Sequence, residues 1–88
     1  MKTAFRESFA RDLGGLRNKK LLKRIRDVIE SVEKARSLNE LPHLKKLKGE
    51  KNYYRLRVAD YRLGLTLEGD TVIFVRCLNR KDIYKYFP

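Results

Sequence analysis

The stretch NYYRLRVADYRLGL, residues 52–65, places Arg55, Arg57 and Arg62 close together in an alternating, strand-like run. Arginine carries a permanent charge on a planar fork that can hold a phosphate through two parallel hydrogen bonds. Several such forks on one surface can clamp a phosphodiester and stabilise the charge that builds on its oxygens during cleavage. Arg76 and Arg80 follow in the next apolar run, and Tyr84 and Tyr86 lie just beyond them. A tyrosine beside cations can serve as a proton acceptor, because neighbouring positive charge favours the phenolate.

Alternation decides whether these residues meet, since successive side chains of a strand point to opposite faces. In the strand expected over residues 53–58, Tyr54, Leu56 and Val58 take one face and Tyr53, Arg55 and Arg57 the other. Over residues 61–67, Tyr61, Leu63, Leu65 and Leu67 share a face opposite Arg62, Gly64 and Thr66. Over residues 71–78, Ile73, Val75 and Cys77 point inward, while Arg76, Leu78 and Arg80 follow the other parity. The leucine faces need a cover, so the arginines gather on the open face. Like charges opposite one another destabilise a sheet. A face shaped only for solubility would intersperse acids, but the nearby acids, Asp60 and Glu68, fall at turns. Gly64 has no side chain and leaves room there for the backbone of a ligand.

The elements that position this face can be read from spacing. Residues 3–5 suit a short first strand. Ser8 is placed to cap a short helix through Phe9, Leu13 and Leu16, which Gly14 and Gly15 weaken by ~1 kcal/mol each. Residues 18–36 form the main helix, with Leu21, Leu22, Ile25, Val28, Ile29, Val32 and Ala35 at three- and four-residue spacing and Asn18 as its cap. Residues 37–52 are the connection. Ser37 and Glu40 have capping-box spacing for a single turn before Pro42, and Gly49 turns the chain into the sheet. Leu38, Leu41, Leu44 and Leu47 pin this segment to the core. Three strands joined by short connections make antiparallel hairpins, and a last turn starts at Asp82. The expected fold class is α+β: N-terminal helices packed on one face of a small antiparallel sheet, with a short N-terminal strand, in one domain over residues 1–88.

With 88 residues and a net charge of +11, the chain suits polyanionic partners. Lys19, Lys20 and Lys23 on the main helix, and Lys45, Lys46 and Lys48 in the connection, offer contacts to nucleic-acid phosphates. Tyr53 is placed to stack on a base or to cover the sheet edge. Cys77 is a lone cysteine, which excludes an internal disulfide and suits a small core residue. The acids, Cys77 and His43 show no metal-ligand spacing, and His43 reads as an exposed polar loop residue. No apolar run approaches ~18 residues, and the N-terminus lacks the apolar core of a signal peptide, so a cytoplasmic protein is expected.

The block LKKLKG…YYRLRVADYRLGL…DTVIFVRCLNRKDIY resembles the RelE/ParE superfamily of toxin–antitoxin modules. The shared theme is L-x-G, a basic strand, Y-R followed by apolar residues, a hydrophobic strand, and an N-R-K-D-I-Y ending. The match covers about residues 44–86, and the preceding helices fit in length and order. The resemblance implies a RelE-like fold and a ribosome-dependent endoribonuclease that cuts mRNA in the ribosomal A site, inhibits translation and is silenced by a cognate antitoxin, which also sets the oligomeric state. By its basic residues the chain sits nearer the RelE branch; the alternative is a ParE-like inhibitor of DNA gyrase without nuclease activity. Carried over by motif, Arg55 and Arg57 are the basic pair before Y-R, Arg62 the arginine of Y-R, Arg80 the arginine after the last strand, and Tyr84 the closing tyrosine, favoured over Tyr86 by spacing. Arg76, Tyr53, Lys45, Lys46 and Lys48 would contact RNA. One branch of the superfamily uses a glutamate and a C-terminal histidine; this chain has no such histidine, which points to the arginine–tyrosine type. The resemblance then implies 2′-OH attack on the adjacent phosphate with no metal and no cofactor: Tyr84 as base, Arg62 and Arg55 on the phosphate, and Arg80 beside the leaving group.

Overall fold

The elements run β1 (Lys2–Phe5), α1 (Glu7–Gly14), α2 (Lys19–Lys34), β2 (Leu44–Lys46), β3 (Tyr53–Val58), β4 (Tyr61–Glu68), β5 (Thr71–Asn79) and α3 (Ile83–Tyr86). They are described in a computed structural model covering residues 1–49 and 52–88. The end of the expected connection, residues 50 and 51, lies outside the described residues. A 3₁₀ turn, Leu38–Glu40, stands before Pro42, with the Glu40 carboxylate accepting from the Ser37 backbone N–H at 3.0 Å, as the capping spacing requires.

The sheet has five strands in the order β1-β5-β4-β3-β2. It is mixed rather than antiparallel throughout: β2 through β5 pair antiparallel, but β1 pairs parallel with β5. The parallel edge follows from α1 and α2 lying between β1 and the rest of the sheet in sequence. A long crossover can bring a strand back in the same direction; a tight turn cannot. β2 hides in the expected connection because three residues, Leu44–Lys46, are too short to show alternation.

The apolar stripe of α2 buries Leu21, Ile25 and Val32. They pack with Phe9 of α1, Leu56 and Val58 of β3, Leu63 and Leu65 of β4, and Val72, Phe74 and Cys77 of β5. Asn18 caps α2, its side-chain oxygen accepting from the Leu21 N–H at 3.1 Å. Ser8 does not cap α1, whose N-cap position is Arg6; its hydroxyl instead donates to the Val75 carbonyl. β1 stops opposite Phe74, and α1 then runs along the exposed edge of β5. There the Asp12 carboxylate accepts from the Cys77 N–H at 2.9 Å, so α1 satisfies an edge that β1 leaves open.

The strand parity expected for β5 is broken. Leu63 lies opposite Cys77 and Gly64 opposite Arg76, but Leu65 lies opposite Phe74. Val75 is therefore the extra residue of a bulge. Val72 and Phe74 face the helices; Ile73, opposite Thr66, faces the other way. The second face is consequently not open along its whole length. Ile73, Thr66, Ile83 and Phe87 are buried on it, apart from the main core. α3 and the residues after it fold over this end of the sheet.

Candidate functional site

On the second face, side chains at paired positions form rows across the sheet. One row is Lys45, Arg55, Gly64 and Arg76; the next holds Arg57 opposite Arg62, followed by Leu78. Cations therefore face cations across β2–β3 and again across β3–β4, each an arrangement that destabilises a sheet by up to ~1 kcal/mol. The hairpin turn at Ala59-Asp60 closes with Ala59 at φ 54. Its carbonyls anchor Arg62: Nη1 donates to the Ala59 oxygen at 3.1 Å and to the Tyr61 oxygen at 2.9 Å. Nη2 and Nε of Arg62 have no hydrogen-bond partner among the described residues and remain for a ligand. The Arg80 backbone N–H donates to the Asp60 carbonyl at 2.8 Å, which ties Arg80 to the same turn.

Burial, then the charges of Arg55, Arg57 and Arg80, push the Arg62 guanidinium below its ordinary value, and Asp60 opposes them only in part. The cluster is thus electrostatically unsatisfied. Arginine does not release its proton, so an anion placed here would offset the repulsion. A cleft of about 200 Å³ opens among His43, Lys45, Arg55, Arg57 and Arg62. A neighbouring one of about 370 Å³ extends it past Asp60 to Arg80 and to Arg24 of α2.

Tyr84 joins this site and Tyr86 does not. The Arg55 guanidinium carbon lies 4.8 Å from the centroid of the Tyr84 ring, a cation–π contact. Tyr84 is 64% exposed, so its hydroxyl is reachable. Tyr86 lies beside Arg76 instead. A groove of about 550 Å³ runs from Tyr84 and Arg55 along Lys45, Lys46 and Lys48 to Phe87 and Pro88, so the three lysines are brought to the tyrosine side. Lys19, Lys20 and Lys23 are exposed on α2, and Lys20 lies with Arg24 in a cleft against the Ala59-Asp60 turn.

Two expected members fall elsewhere. Arg76 lies in the same row as Arg55 but leans to the sheet edge. Its Nε and Nη2 donate to the Asp12 carboxylate at 2.8 and 3.2 Å, and that bond raises its guanidinium above the ordinary value. Gly64 makes no room for a ligand: a Cβ there would lie 2.8 Å from the Phe87 ring, which fills the space. Tyr53 packs edge-on against the same ring at 5.6 Å. Cys77 is buried as expected, and burial followed by the Asp12 charge pushes its thiol up to about 12. No cluster of metal-ligating side chains occurs among the described residues, and no helix among them is long and apolar enough to cross a membrane.

Sequence reasoning misses His43 and Arg24. His43 sits at φ 63 in the loop before β2, its carbonyl accepting from the Arg57 N–H at 3.1 Å and its Nδ1 lying 3.0 Å from Arg57 Nη2. Nothing at residues 43 or 24 marks them locally. The pairing of β2 with β3 brings the first to Arg57, and packing of α2 brings the second to the hairpin turn.

A family model for the ParE toxin of type II toxin–antitoxin systems matches residues 4–84. The chain belongs to that family, within the RelE/ParE superfamily, and is a toxin of the type II toxin–antitoxin class. It is 47% identical to a protein named Toxin RelE3 from Methanocaldococcus jannaschii, over the full length of both. The fold matches the toxin in the crystal structure of a RelB–RelE antitoxin–toxin complex from Methanococcus jannaschii, with a TM-score of 0.82 and 45% identity over 97% of this chain and 99% of that one. It also matches an archaeal RelE–RelB complex from Pyrococcus horikoshii, with a TM-score of 0.73 and 19% identity over 90% and 93% of the two chains, a likeness of fold alone.

Proposed function

We propose that residues 1–88 act as one toxin domain that cleaves mRNA on the ribosome, by attack of a 2′-OH on the adjacent phosphate. One observation carries the reading: Arg55, Arg57 and Arg62 converge, with few acids to balance them, on one cleft, and Arg55 also stands over the exposed Tyr84 ring in the adjoining groove. Such a site holds an RNA phosphate and stabilises its pentacoordinate state. Arg62, fixed to the turn through Nη1, presents Nη2 and Nε to the phosphate without a reorganisation at the moment of reaction. Arg55 holds the phosphate and stands over the Tyr84 ring. Tyr84 takes the proton of the 2′-OH. Arg80 stabilises charge on the departing 5′-oxygen. Lys45, Lys46 and Lys48 guide the strand and contact ribosomal RNA. The site positions groups more than it supplies a strong acid–base pair, so the ribosome contributes by presenting mRNA near its attack geometry. A cognate antitoxin, acidic to complement the +11 charge, covers this face and silences it. The name of the RelE relative and the crystallised antitoxin complex support both parts of this reading.

The test maps mRNA ends in a translating extract with the wild type, Arg62→Ala and Tyr84→Phe, with DNA supercoiling followed in parallel. Cuts within A-site codons, lost in both variants, are expected. Intact mRNA with stalled gyrase would replace this reading with gyrase inhibition.

A further inference from the structure

We propose that His43 is the proton donor to the departing 5′-oxygen; the inference rests on the nuclease reading above. The arginines leave a chemical gap. They stabilise charge, but their protons do not transfer at neutral pH. The leaving oxygen needs a proton as its bond to phosphorus breaks, and histidine is the side chain whose proton exchange falls near neutrality. His43 lines both arginine clefts, beside Arg57 and Arg62.

Placement supports the role. Tyr84 lies against Arg55, and His43 lies against Arg57. Arg55 and Arg57 are two residues apart on one face of β3, about 7 Å along the strand. A phosphate gripped between them has Tyr84 on one side and His43 on the other. In-line displacement needs this, because the entering and leaving oxygens lie on opposite sides of phosphorus.

Arginine has no acceptor, so Arg57 Nη2 donates to His43 Nδ1 across 3.0 Å and leaves Nε2 for the 5′-oxygen. A phosphate entering the cleft competes for Arg57. Nδ1 is released and takes a proton from water, giving the imidazolium. The Tyr84 phenolate then accepts the 2′-OH proton as the 2′-O–P bond forms. The P–O5′ bond breaks, and Nε2 passes its proton to the 5′-oxygen. The products are a 2′,3′-cyclic phosphate and a 5′-hydroxyl, and both side chains return to their starting states by exchange with water.

The test uses ribosomes programmed with two synthetic mRNAs, one normal and one with sulfur in place of the scissile 5′-oxygen. A thiolate leaves without protonation. His43→Asn is the variant, since asparagine tolerates the φ of 63 found there. On the normal mRNA it should cut about 10²–10⁴-fold more slowly than wild type. On the sulfur mRNA it should approach the wild-type rate. Equal rates on the normal mRNA would overturn the proposal, as would equal loss on both, which would mean that His43 only positions Arg57. If wild type cuts neither mRNA, the nuclease reading itself fails.

Discussion

Gly64→Ala is the substitution that most tightly couples the fold to the site. Gly64 has an ordinary strand backbone, so alanine is conformationally allowed; the conflict is with Phe87. An added Cβ would stand 2.8 Å from Cγ and Cδ1 of that ring and 2.9 Å from Cδ2. These atoms form the near side of the ring, so rotation about its axis gives no relief. Phe87 is 4% exposed. Overpacking of this kind costs about 1–3 kcal/mol. The upper end is capped by the alternative of expelling the ring, which forfeits at most about 3 kcal/mol of burial. Either way the segment carrying Tyr84 moves, because Tyr84 is held between the anchors Ile83 and Phe87, both buried. A displacement near 1 Å can cost about 10²-fold in rate, so cleavage should fall further than stability. The assay is urea unfolding of wild type, Gly64→Ala, Phe87→Ala and the double variant, with cleavage rates measured alongside. In the Phe87→Ala background the clash is gone, and Gly64→Ala should be neutral or stabilising by up to about 1 kcal/mol. A coupling of at least about 1 kcal/mol is therefore expected. Additive costs would refute the contact.

Asp12→Ala leaves the Arg76 guanidinium and the Cys77 N–H without their shared acceptor. It should lower stability by about 1.5–3 kcal/mol, seen as a lower urea midpoint at unchanged slope, while the folded fraction cleaves at the wild-type rate; a loss of cleavage at full stability would return Arg76 to the site. The Cys77 thiol lies at about 12 in the fold against an ordinary 9.0. Between these values the unfolded chain gives up the proton and the folded chain keeps it, so stability is full below the lower value and declines as pH rises, by up to about 1.4 kcal/mol per pH unit. Cys77→Ala should remove that alkaline decline in urea unfolding; an equal decline in both proteins would exclude the thiol. Lys46→Ala with Lys48→Ala should flatten the salt dependence of ribosome binding by about 0.7–0.9 per lysine in the logarithmic slope. An unchanged slope would mean that neither meets a phosphate.

Much of this arrangement is legible in the amino-acid sequence, because it depends on local rules. Apolar spacing locates α2, Asn18 marks its start, and alternation places Arg55, Arg57 and Arg62 on one face. What escapes depends on contacts between distant residues. The bulge at Val75 reverses the parity of β5, and nothing in TVIFVRCLN distinguishes the extra residue from its neighbours. Arg76 is drawn to the edge by Asp12, 64 residues away. Gly64 reads as empty space, yet Phe87 fills it. His43 looks bland in LPHLKK and enters the cleft only because β2 pairs with β3 in a register that sets its loop beside Arg57. Motif spacing favours Tyr84 over Tyr86, and the cation–π contact sets Tyr84 against Arg55 in the groove adjoining the cleft.

The central claim is that Arg62 stabilises a phosphate undergoing cleavage on the ribosome. Single-turnover cleavage of an A-site codon on programmed ribosomes, with protein in excess, measures this directly for wild type and Arg62→Ala. The account predicts cleavage by wild type and a loss of about 10²–10³-fold in the variant, with ribosome binding nearly unchanged. Equal cleavage by both proteins, or no cleavage by wild type, would contradict it.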